Sequence, residues 1–197
     1  MNTIEELDII TRMHGEVMSC KDVTGDNLFL AWGYPTVLVL LAEFAALMIW
    51  NEKWCAWLWA GIPLIGTPLM IYFLNKDYAH THSRTHEQSN ILVMWIFIGF
   101  ASCIGGWLMG ASGVFRQAFF AYLSLLCGMG CFMTGIILHF RPKTVCGILA
   151  SLLSALPLFF QDDLWPWQLL VTAVTVTISL IIPGHLFRRY VKKSRTL

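Results

Sequence analysis

Charge is scarce in this sequence. Asp, Glu, Lys and Arg make up 13% of its 197 residues and hydrophobic residues 57%, whereas a typical soluble domain is about 25% charged. So few ionic groups could not cover a water-facing surface. A bilayer removes that need, because the outer surface then faces hydrocarbon. Chemistry-bearing motifs are missing as well: there is no Walker loop, dinucleotide glycine fingerprint, GxSxG elbow, HExxH metalloprotease motif or CxxC pair. A basic leader is also lacking. Residues 1–27 carry Glu5, Glu6, Asp8, Glu16, Asp22 and Asp26 against only Arg12 and Lys21, which is not the start of a cleavable signal peptide. The first apolar segment is therefore expected to remain in the mature protein. The cysteines are scattered at 20, 55, 103, 127, 131 and 146. They read as small, soft packing residues, not as a disulfide framework.

What the sequence does have is apolar runs. Six segments, at about 31–50, 55–74, 90–110, 117–139, 144–160 and 166–186, each come near the roughly 20 residues that a bilayer core requires. Only helices or closed barrels satisfy backbone polar groups in lipid, and these runs do not alternate as barrel strands do. The expected fold is all-α: a polytopic bundle of six transmembrane helices over residues 28–187. Residues 1–27 should form a short amphipathic cytoplasmic helix and linker, with Thr3 and Glu6 as a capping box. Residues 188–197 should form a basic cytoplasmic tail. Pro63 and Pro68 should kink or locally open the second span, and Pro183 the end of the last. The 144–160 run is the shortest.

Basic residues are distributed unevenly. With six spans, one side holds Arg12, Lys21, Lys76, Arg84, Arg141, Lys143 and the tail residues Arg188, Arg189, Lys192, Lys193 and Arg195. The other side holds only Lys53 and Arg116. Retention of Lys and Arg in the cytoplasm predicts that both ends lie inside. Five basic residues beside a span end are what topology alone requires, so they point to anionic headgroups and not to nucleic acid.

Small residues recur at four-residue spacing: Ser102, Gly106 and Gly110 in the third span, and Cys127, Cys131 and Gly135 in the fourth. Such stripes let two helix backbones approach closely. The expected use is contact within one subunit, with a seam between copies as the alternative. Tryptophans at 32, 50, 54, 57, 165 and 167 fall near span ends, as interfacial anchors do.

Glu43 is the one acid deep in an apolar run. Ionisable groups there usually face the bundle interior or an aqueous cavity. Glu43 reads as an ion- or proton-handling group, as a neutral acid hydrogen-bonded to a facing helix, or as a residue nearer the interface than it looks. His80, His82 and His86 form an H-x-H-x3-H cluster that could converge on a transition metal (zinc, iron or copper). The structural alternative is a solvated loop. His139 and His185 end the fourth and sixth spans on the same side, where histidine suits the negative end of a helix dipole. No motif demands a cofactor.

Four segments carry a resemblance: the helix around Glu5–Met13, Phe29-Leu30-Ala31-Trp32-Gly33, Phe140-Arg141-Pro142-Lys143 and Ile182-Pro183-Gly184-His185-Leu186. Together the chain resembles a family of small, uncharacterised six-helix membrane proteins of Bacteroidetes-type bacteria. The resemblance implies a multi-pass bacterial inner-membrane protein and brings no activity with it. The leading functional expectation is a non-enzymatic membrane module or scaffold acting with itself or with another membrane protein. The alternatives are a small transporter or channel using Glu43, and a metal-binding membrane protein or enzyme built on the cytoplasmic-side histidines.

Overall fold

The computed structural model describes residues 29–49, 58–78, 86–112, 116–159 and 165–194. The expected N-terminal helix, His80, His82 and the acidic turn at 161–163 lie outside the described residues. What is described is helix joined by short turns: α1 (Phe29–Ile49), α2 (Gly61–Tyr78), α3 (His86–Ser112), α4 (Arg116–Ile137), α5 (Arg141–Leu153), α6 (Trp165–Val176) and α7 (Ile182–Ser194). A 3-10 turn, Leu156–Phe159, prolongs α5, and a π segment, Thr177–Ile181, joins α6 to α7 without a break. Five helical stretches are long and apolar enough to cross a membrane, and the Leu58–Phe73 stretch is a shorter apolar helix. The fold is an all-α bundle of membrane-protein character.

Several boundaries differ from the sequence expectation. Among the described residues the shortest apolar stretch is Leu58–Phe73, the start of the expected second span lying outside them; α2 continues to Tyr78, and α3 already begins at His86. Much of the anticipated polar loop is thus helix. Pro63 falls in the first turn of α2, where a missing N–H costs nothing, and Pro68 lies inside the helix. The last helix runs to Ser194, well past the expected end near Leu186. Phe187 is buried against Phe140, with ring centroids 5.1 Å apart, and Tyr190 packs on the same ring at 5.5 Å. These contacts give the added turns a face to bury.

α4 packs against α3, α5 and α6. Its contact with α5 is close because side chains are missing where the backbones meet. A Cβ on Gly135 would stand 2.5 Å from Thr144 N, and one on Gly128 2.7 Å from Ser151 N. A Cβ on Gly147 would collide with the backbone of Phe132. In lipid, where water does not drive helices together, this approach supplies the dispersion that holds the pair. The α4–α5 turn closes with Phe140 N–H donating to Gly135 O at 2.9 Å and His139 N–H to Ile136 O at 3.0 Å. His139 takes the left-handed position of that helix end, with φ 52°. Pro142 sits in the first turn of α5.

α1 threads the remaining elements together. Phe29 stacks edge-on with Trp95 of α3 at 5.3 Å, and Phe44 with Trp167 of α6 at 5.6 Å. Trp32 donates to Met70 Sδ of α2 at 3.4 Å. Gly33 lies against the π segment, where an added Cβ would be 3.0 Å from Ile181 Cγ1. The π turn has a local cause. Pro183 has no N–H to donate and its ring displaces the carbonyl one turn earlier; the helix widens, and Ile182 N–H donates to Thr177 O.

Candidate functional site

The site is built from the acid that the sequence singles out. Glu43 sits three-quarters of the way along α1 and is 5% exposed. Its neighbours on the same helix face include Leu40, completely buried, and Leu47, packed against the core. Glu43 Oε2 accepts a hydrogen bond from Trp59 Nε1 at 2.6 Å. Trp59 is placed by the 3-10 turn at 58–60 and wedges against α4, 5.6 Å from Phe119 and 6.0 Å from Phe120. Among the side chains that are described, Trp59 is the one shown hydrogen-bonded to Glu43. A carboxylate enclosed in this way needs its own proton or a cation beside it, because desolvation of an unpaired charge is costly.

Two further polar groups are buried on the neighbouring helices. Gln168 of α6 and Ser124 of α4 are both completely buried. Neither Gln168 Oε1 nor Nε2 has a hydrogen-bond partner, and neither does Ser124 Oγ. Each such orphan costs about 1–3 kcal/mol. Ring contacts relate their neighbours to those of Glu43: Phe44, next to Glu43, packs on Trp167, next to Gln168, and Trp59 packs on Phe120, one turn before Ser124. Leu40, Phe120 and Leu169 belong to one apolar cluster, with Phe44, Trp59 and Phe119 packed on it.

Gln168 also begins a buried polar stripe. Thr172, Thr175 and Ser179 follow it at helical spacing on α6 and the π segment, all with no exposed surface. These three satisfy themselves: Thr172 donates to Gln168 O at 2.8 Å, Thr175 to Val171 O at 2.9 Å and Ser179 to Val176 O at 3.3 Å.

The other residues singled out from sequence lie elsewhere. His185 is exposed and its Nε2 is 2.6 Å from the Tyr34 hydroxyl, tying α7 to α1. His139 is exposed in the α4–α5 turn, and His86 begins α3. Among the described residues no group of three or more His, Cys, Asp or Glu side chains comes together to hold a metal. Cys131 donates to Lys143 O at 3.5 Å, on the same α5-facing side as Gly135. Cys127 is half-buried, and no disulfide involves Cys103, Cys127, Cys131 or Cys146. In α3, Ser102 donates back to Ile98 O at 2.8 Å, Gly106 lies against Phe119 of α4, and Gly110 is near the helix end. Lys143, read from sequence as a turn cation, is completely buried with Nζ 3.1 Å from the centroid of the Phe29 ring, a cation–π contact.

Sequence reasoning missed Trp59, Trp95, Ser124 and Gln168. Trp95 Nε1 donates to Thr134 Oγ1 at 3.1 Å inside the bundle, so two tryptophans serve as interior donors and not as interfacial anchors. Two of the resemblance segments meet, Lys143 lying over Phe29, and the residues on either side of the third pack against them, Ile181 against Gly33 and Phe187 against Phe140.

A bundle of apolar helices that encloses an acid and unpaired polar side chains defines a polytopic helical membrane protein. No protein-family model matches the chain, and no curated protein or solved structure matches it either.

Proposed function

We propose that the protein is a bacterial inner-membrane protein, with both ends cytoplasmic, that binds and moves a small cation or protons through its bundle by way of Glu43. The supporting observation is the enclosure of the Glu43 carboxyl, oriented by Trp59. An acid held in that way has an exchangeable counter-charge as its natural partner. Reconstitution in liposomes tests the reading: wild type should carry a cation- or proton-coupled flux that Glu43→Gln abolishes. Equal flux through both proteins would remove Glu43 from the mechanism.

A second reading is a module that assembles with a second copy of itself. α3 supports it: only 6% of Ser89–Leu108 is buried. Nothing lies within 4 Å of a Cβ placed on Gly99, and Cys103, four residues on, is exposed. Small residues at that spacing suit close helix pairing in lipid. Mass measurement in mild detergent should give a dimer that Gly99→Leu disperses. A strict monomer for wild type would dismiss it.

A further inference from the structure

We infer, resting on the role of Glu43 proposed above, that the species exchanged at its carboxyl is a proton, and that the bundle moves protons and not metal or organic cations.

The first ground is room. Glu43 is 5% exposed. Leu40, one turn before it on α1, has no exposed surface, and Leu47, one turn after it, packs against the core cluster. A proton joins a carboxyl without a coordination shell and without a cavity. A metal ion needs a shell of oxygen ligands to replace the water it sheds, and an organic cation needs the volume of its own atoms.

The second ground is the bond already in place. Trp59 Nε1 donates to Glu43 Oε2 at 2.6 Å. An indole N–H is a donor only. Its hydrogen takes a lone-pair site on Oε2 and sets positive charge beside any metal ion that would bridge both oxygens. A neutral acid suits the same arrangement. One of its oxygens accepts and the other carries the proton, so Oε2 keeps the bond to Trp59 and Oε1 is protonated.

The third ground is the chemistry around the pair. Leu40, Phe44 and Leu47 flank Glu43 on α1, Phe119 and Phe120 of α4 hold Trp59, and Trp167 of α6 holds Phe44. None of these side chains titrates and none offers an oxygen atom. An ionised carboxylate among them forfeits its hydration, whereas the neutral acid forfeits far less. In the exchange one proton adds to Oε1 from water at one face of the membrane and returns to water at the other. Only an O–H bond is made and broken.

Two measurements on the full-length protein test this. In lipid nanodiscs, infrared difference spectra taken across a pH series should show the carbonyl band of a protonated carboxyl. Glu43→Gln should delete that band, and replacing sodium by potassium should leave it unchanged. In liposomes held at a potassium diffusion potential, an interior pH-sensitive dye should report proton movement. Glu43→Gln should reduce it to the level of protein-free liposomes, and Glu43→Asp, which keeps a carboxyl, should restore part of it. Radiolabelled sodium, rubidium and methylammonium should cross no faster than in protein-free liposomes. A Glu43 carboxyl that stays ionised at every pH at which the protein is folded would overturn the inference. Glu43-dependent movement of sodium, rubidium or methylammonium would overturn the proton and leave the transport role of Glu43 standing. Equal dye signals from wild type and Glu43→Gln, with no flux of the other ions, would overturn both.

Discussion

Glu43 and Trp59 form the bond on which the interior chemistry turns, and its worth can be measured apart from any transport assay. A buried hydrogen bond to a carboxyl contributes about 1–3 kcal/mol, although such bonds inside membrane bundles average nearer 0.6 kcal/mol. Trp59→Phe keeps most of the ring packing on Phe119 and Phe120 and removes only the donor. It should lower the unfolding free energy in mixed micelles by about 1 kcal/mol. A double-mutant cycle with Glu43→Gln should return a coupling of about 0.5 kcal/mol or more; a coupling of zero would show that the two side chains do not depend on each other. His139 offers a second residue-scale test. It holds φ 52° at an exposed helix end, a conformation that costs a non-glycine residue about 1 kcal/mol. His139→Gly should leave stability unchanged or raise it, and His139→Val should lower it. A clear loss in His139→Gly would mean that the imidazole itself holds the turn. Glu43 was legible in the sequence because an acid stands out in an apolar run. Gln168 was not, because it follows Pro166 and Trp167 at a span end and reads as interface. Ser124 was not, because serine is unremarkable in membrane helices until its neighbours are known. Lys143 read as a loop cation because nothing in the linear chain places Phe29 beneath it.

At the scale of elements, the α4–α5 pair is the most tightly determined part of the bundle and the π segment the most locally altered. Gly128, Gly135 and Gly147 remove bulk where two backbones meet. Gly135→Leu should therefore destabilise the protein by about 2 kcal/mol or more through overpacking, whereas Gly99→Leu on the open face of α3 should cost the monomer little. Parallel unfolding curves in mixed micelles decide this; equal effects would mean that the α4–α5 approach is not the tight one. The four-residue stripe through Cys131 and Gly135 could be read before the fold was known. What could not be read was the direction each stripe faces, since a small residue looks the same whether it meets another helix or lipid. The π turn was hidden for a related reason. Pro183 announces a disturbance near the end of the last span, but not that the widened turn it causes packs against Gly33 of α1, nearly 150 residues away in sequence.

For the molecule as a whole, helix count and orientation depend on one another through the placement of charge. The helical architecture was readable because backbone polarity in lipid leaves so few alternatives. Boundaries at polar ends were less so: α2, α3 and α7 all extend into segments whose side chains are hydrophilic, because helical hydrogen bonding continues past the hydrocarbon edge. α7 illustrates the consequence for orientation. Arg188 and Arg189 are exposed on a continuous helix that also buries Phe187. Arg141, in the first turn of α5, stands at the same end, because Phe140 stacks on Phe187 and Tyr190. Arg116 begins α4, at the helix end opposite the α4–α5 turn. The membrane potential and the insertion machinery then favour the end bearing the arginines of α5 and α7 inside. A fluorescent protein that matures only in the cytoplasm should glow when fused after Leu197, and a phosphatase active only outside should work when inserted at residue 114. The reverse pattern would invert the bundle, placing Glu43 in the inner half of the membrane and exposing any ligand it holds to the cytoplasm first.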